Sequence, residues 1–130
     1  MEKIEFAGSI ERSDAPARMA KGTHLLVDLI GAHGTGDIDL VRQALIDCTE
    51  AASATLIDIR LHHFEPGGGI TGIAVLAESH ISIHSWPEHL FAAIDLFMCG
   101  NADPRRALPV LNGSFRPDKM ITRECRRGLD

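Results

Sequence analysis

The chain has 130 residues, of which 45% are apolar, with a net charge of −5 and three cysteines. That length supports one hydrophobic core rather than two ordinary domains. The acidic balance, without a basic block ahead of the C-terminus, argues against nucleic acid or an anionic membrane as a main partner and suits a small cationic ligand better.

The N-terminal residues contain no long apolar core of a signal peptide, and no stretch approaches the ~20 apolar residues of a membrane span, so a cytoplasmic protein is expected. Cys48, Cys99 and Cys125 are widely spaced and form no CxxC pair, a pattern of reduced thiols and not of a disulfide framework or a zinc site.

Residues 1–21 mix charges, small residues and Pro16 without a sustained period. They are expected to be an N-terminal arm ordered only by docking elsewhere, with residues 22–130 as a single domain. The run from His24 to Ile30 predicts a strand, ended by Gly31, Gly34 and Gly36. Asp37 is placed to cap a helix whose apolar face carries Ile38, Val41, Ala44, Leu45, Cys48 and Ala52.

Residues 54–64 alternate as a strand, with Ile57, Ile59 and Leu61 on one side and Asp58, Arg60 and His62 on the other. Pro66 and Gly67 to Gly69 interrupt the sheet, and residues 70–77 resume it. Ile81 and Ile83 then alternate with His80, Ser82, His84 and Trp86; Pro87, Glu88 and His89 turn the chain into a strand over 91–98. Phe91, Phe97 and Phe115 are assigned to the core.

Asp103 and Pro104 open a second helix that directs Ala107, Leu108 and Leu111 to the sheet and is kept short by Pro109 and Gly113, and residues 119–126 form a last strand. The order predicts an α+β two-layer sandwich, a mostly antiparallel sheet with helices on one face. A partly apolar second face predicts a homo-oligomer.

The segment from Leu76 to Glu88 stands apart, because Ser79, His80, Ser82, His84 and Glu88 interrupt what otherwise reads as buried sheet. Polar and titratable groups in such a place need partners or a function. No GxSxG turn surrounds Ser79 to support a serine hydrolase. His80 and His84 lie about 13 Å apart along a strand, and no zinc spacing is present, so no metal is expected. His62, His63 and His89 read as satisfied sheet or turn histidines.

The block Glu78-Ser79-His80-Ile81-Ser82-Ile83-His84-Ser85-Trp86-Pro87-Glu88, followed by Ala93-Ile94-Asp95-Leu96-Phe97-Met98-Cys99-Gly100, closely resembles the short prokaryotic S-adenosylmethionine decarboxylases. Together with His24 to Asp28, the loop from Phe64 to Gly72 and Asp103-Pro104, the resemblance runs from about His24 to Gly128. It implies a proenzyme in which Ser79 attacks the carbonyl of Glu78 and the chain splits into a β chain (1–78) and an α chain (79–130) headed by a pyruvoyl group made from Ser79.

That covalent cofactor would form a Schiff base with the substrate amine and accept electrons as CO2 leaves. The resemblance also implies that His84 is the proton acceptor in processing, with Thr71 supporting it, and that Cys99 is the proton donor in catalysis. Phe64, Trp86 and Glu88 would bind the substrate.

The expected activity is decarboxylation of S-adenosylmethionine for spermidine biosynthesis by a homodimer of αβ units. Ornithine or arginine as substrate, and an uncleaved paralogue with a binding or regulatory role, are the alternatives. The loop after Phe64 is one glycine longer than the family form, and Met98 stands where a small polar residue is common. Strand parity puts Ser79 and His84 on opposite faces, which predicts a kink or strained turn at Glu78 to His80.

Overall fold

A computed structural model describes residues 3–6 and 20–129. In chain order the elements are β1 (Lys3–Phe6), β2 (Gly22–Ile30), α1 (Ile38–Ala51), β3 (Leu56–His63), β4 (Ile70–Leu76), β5 (Ser79–Trp86), β6 (Phe91–Met98), α2 (Leu108–Phe115) and β7 (Lys119–Arg127). Single 3-10 turns cover Pro87–His89 and Pro104–Ala107. The strands make one sheet in the order β1-β7-β2-β6-β5-β4-β3. Every pairing is antiparallel except that of β1 with β7. This is the expected two-layer α+β sandwich. Of the segment read as an arm, residues 3–6 pair along β7, whereas 7–19 lie outside the described residues.

The core lies between the helices and one face of the sheet. Leu25, Val27 and Leu29 of β2, Ile81 and Ile83 of β5, and Ile94 and Leu96 of β6 are all buried, as the two-residue period of a one-sided strand requires. Val41, Ala44, Leu45 and Cys48 of α1 and Leu111 and Phe115 of α2 complete that core. Asp37 starts α1 as expected, its Oδ1 accepting from the amides of Asp39 and Leu40 at 3.1 and 3.2 Å. Burial pushes the Cys48 thiol up to about 12, with the nearby Asp47 charge acting in the same direction. Asp103 caps the 3-10 turn that precedes α2, and Pro109 falls in the first turn of that helix, where its missing N–H is tolerated.

Two expectations change. Ile57 is 63% exposed, because β3 is the sheet edge and its pairing shifts by a bulge between Leu56 and Asp58. Phe91 and Phe97 belong to the face turned away from the helices. There Phe91 packs 5.5 Å from Trp86 and Phe97 packs beside His24 and His80. Only Phe115 of the three is core. The open face also carries Leu26, Ile30, Ile73, Val75 and Trp86, each about two-fifths exposed.

Candidate active site

Strands β4 and β5 are joined by Ala77 and Glu78 alone, with Leu76 registered opposite Ser79. So short a reversal forces unusual backbone, and Glu78 takes φ 59, a left-handed conformation that costs a residue with a Cβ about 1–2 kcal/mol. A strained turn is present at Glu78, the residue before Ser79, but β5 then runs without a break from Ser79 to Trp86, so Ser79 and His84 keep opposite parity. The Ala77 amide donates to Thr55 O at 2.9 Å, tying the turn to the chain ahead of β3.

Cys99 follows β6, the strand beside β5, and its thiol reaches the same turn. Its Sγ donates to Glu78 O at 3.2 Å and lies 3.6 Å from Glu78 Oε1. The carbonyl between Glu78 and Ser79 therefore carries a hydrogen-bond donor. A cleft of about 570 Å³ opens beside Cys99, lined also by Lys21, Asn101, Asp103 and Arg106.

Thr71 and His84 form a second group. They sit opposite one another on β4 and β5, and Thr71 Oγ1 lies 3.2 Å from His84 Nδ1. His84 is exposed on the open face. Five residues along β5 separate it from Ser79, a distance of about 16 Å. Within one chain the pair is brought together, and it is not brought to the Glu78–Ser79 bond.

The remaining expected binding residues lie at the Thr71–His84 end. Phe64 is 64% exposed in the β3–β4 loop, with its ring 4.6 Å from that of His62. Trp86 lies 6.5 Å from His84 and ends β5. Glu88 borders a groove with Glu65 and the glycine loop. That loop is held by Ser85, which accepts from the Ile70 amide at 3.0 Å and donates to Thr35 O at 2.7 Å.

A third cluster lies on the open face between these groups and Cys99. His24 and His80 flank Phe97 from β2 and β5, and Asp95 stands two residues before Phe97. His80 Nε2 lies 2.9 Å from Asp95 Oδ1, and Ser82 Oγ donates to Asp95 Oδ2 at 2.7 Å. Burial opposes ionisation of Asp95, but Ser82, His80 and His24 together outweigh it and hold the carboxyl below its ordinary value. The sequence reading singled out neither His24 nor Asp95. Their common parity was visible, but the adjacency of β2, β6 and β5 was not.

A family profile described as S-adenosylmethionine decarboxylase matches residues 23–128. The S-adenosylmethionine decarboxylase proenzyme of Thermomicrobium roseum is 42% identical over 109 residues, covering 83% of this chain and 94% of that protein. The proenzyme of the same name from Methanococcus aeolicus is 48% identical over 89 residues, covering 68% of this chain and 75% of its own length. Among solved structures, the adenosylmethionine decarboxylase of Aquifex aeolicus superposes with a TM-score of 0.74 at 33% identity, covering 85% of this chain and 93% of that one.

Proposed function

The chain belongs to the S-adenosylmethionine decarboxylase family, and on that premise we propose that it is a self-processing proenzyme that decarboxylates S-adenosylmethionine, giving CO2 and the aminopropyl donor of spermidine biosynthesis. The observation that carries this reading is the Cys99 thiol on the carbonyl of Glu78, at a strained turn immediately before Ser79.

Processing follows from the chain's own groups. Ser79 Oγ attacks the Glu78 carbonyl carbon, and the peptide C–N bond breaks as an ester forms. The Cys99 thiol stabilises the oxygen on which negative charge develops. Loss of the Cα proton of residue 79 then expels Glu78 as a free carboxylate and leaves dehydroalanine, which takes up water and releases ammonia. The resulting N-terminal ketone is the pyruvoyl group.

The residues present fit that group, since the serine lies at a turn, its preceding carbonyl has a donor in Cys99, and Cys99 itself lines a cleft. Once formed, the pyruvoyl group would hold the substrate amine and take up the electron pair as CO2 departs. Cys99, placed at the same spot, would return a proton to the substrate carbon.

The distance between Ser79 and the Thr71–His84 pair supports a homodimer with a shared site. We assign the proton-accepting His84, with Thr71 on its ring, to the Ser79 of a second copy. The apolar side chains of Leu26, Ile30, Ile73, Val75 and Trp86 give the open faces reason to meet. In such a dimer Trp86, Phe64 and Glu88 of one copy would border the substrate bound at Cys99 of the other, the aromatics beside the adenine and the carboxylate suited to the ribose or the sulfonium.

Release of labelled CO2 from S-adenosylmethionine, ornithine and arginine, compared side by side, tests the substrate. Release from S-adenosylmethionine is expected; release from ornithine or arginine alone would overturn the assignment.

A further inference from the structure

We propose that His24 Nε2, His80 Nε2 and Asp95 Oδ1 form a binding site for a divalent transition-metal ion, with zinc the best match. The three ligand atoms come from adjacent central strands and all lie within 4.8 Å of one another. Oδ1 is 2.9 Å from His80 Nε2 and 3.4 Å from His24 Nε2. Tetrahedral zinc with bonds of about 2.0–2.2 Å to nitrogen and oxygen sets its ligand atoms about 3.3 Å apart. These two separations bracket that value, and the two imidazole nitrogens lie within 4.8 Å of each other, so the three atoms are close enough to converge on one ion.

The surroundings are built to aim these atoms. Ser82 Oγ engages the other carboxylate oxygen, Oδ2, at 2.7 Å and leaves Oδ1 facing the imidazoles. Phe97 fixes both rings, edge-on to His24 at 5.8 Å and stacked on His80 at 6.1 Å. His24 Nε2 supplies an independent sign. It is shut off from solvent, has no hydrogen-bond partner and points at Oδ1. A plain histidine–aspartate pair needs one imidazole, and here a second lies 3.4 Å from the same oxygen, close enough to add to its electrostatic stabilisation but without a well-formed hydrogen bond. A metal ion bonded to all three atoms satisfies that nitrogen.

The ligand set also selects the ion. Two imidazoles and one carboxylate suit zinc or its neighbours in the first transition row, whereas magnesium and calcium favour oxygen ligands throughout. Three protein ligands leave one tetrahedral position for water or a further donor.

Calorimetric titration of the full-length protein with zinc chloride tests the site. One equivalent should bind, and Asp95→Asn and His24→Gln should each weaken binding at least about tenfold, with Ser82→Ala, which removes only the positioning hydroxyl, weakening it less. Absence of zinc binding, or unchanged affinity in both ligand variants, overturns the proposal. Zinc-edge anomalous diffraction from the unmutated protein is decisive should a variant fail to fold: a peak between the three atoms supports the site, and a peak elsewhere or none removes it.

Discussion

Replacing Cys99 with alanine isolates the contact on which processing is argued to depend. The thiol donates to Glu78 O at 3.2 Å, so its removal strips the donor from the carbonyl that becomes an oxyanion when Ser79 attacks. A strong oxyanion donor is worth about 2.7–4 kcal/mol, but a thiol is a weak donor, and an ordinary neutral hydrogen bond contributes about 0.5–1.5 kcal/mol. Taking about 1.4 kcal/mol gives a tenfold slower cleavage.

The assay is the time course of conversion of the 14.1 kDa chain into two fragments, followed by mass after synthesis in a cell-free system. Cys99→Ser, which restores a donor on a shorter arm, should fall between the parent and Cys99→Ala. Cleavage of Cys99→Ala at the parent rate would refute the role in processing. Turnover of chains that have already split should still fall sharply, because the same group is argued to protonate the substrate.

Ser79→Ala should abolish cleavage, and His84→Ala should slow it; mixing the two chains should restore cleavage of the His84→Ala copy, as seen by fragment mass, if His84 acts across the dimer. No restoration in verified mixed dimers would remove that arrangement. Gly36→Ala places a Cβ 2.6 Å from Gly67 O and 2.9 Å from Pro87 Cγ. It should lower stability by about 1–3 kcal/mol in denaturant unfolding through overpacking, and an unchanged midpoint would contradict the contact.

Asp95 has a lowered folded pKa, so its ionised form contributes stability that is fully present above its ordinary value of 3.8 and is lost as the pH falls through the lowered value. The stability gap between the parent and Asp95→Asn should therefore narrow in acid, and a gap that widens would reverse the sign. With its thiol at about 12, Cys48 should resist alkylation in the folded protein while Cys99 reacts, which peptide mapping can check.

The helix–sheet layer was legible because its signals are local. Asp37 caps α1, the three- and four-residue spacing from Val41 to Cys48 marks its buried face, and β5 and β6 alternate with a period of two. Parity alone also put Ser79 and His84 on opposite faces, and they remain so along an unbroken β5; the strained residue is Glu78, in the turn just before Ser79. What escaped depends on which strands are neighbours. Phe97 looks like core until β2 and β5 place imidazoles on either side of it. Ile57 looks buried until β3 proves to be an edge with a bulge. The Thr71–His84 contact needs the β4–β5 register, and its distance from Ser79 follows from that same register.

Intact-mass measurement of the purified protein tests self-cleavage most directly. Two species are predicted, residues 1–78 ending in the free carboxylate of Glu78 and residues 79–130 beginning with a pyruvoyl group that blocks Edman sequencing. A single 14.1 kDa species that persists in folded, dimeric protein would contradict it.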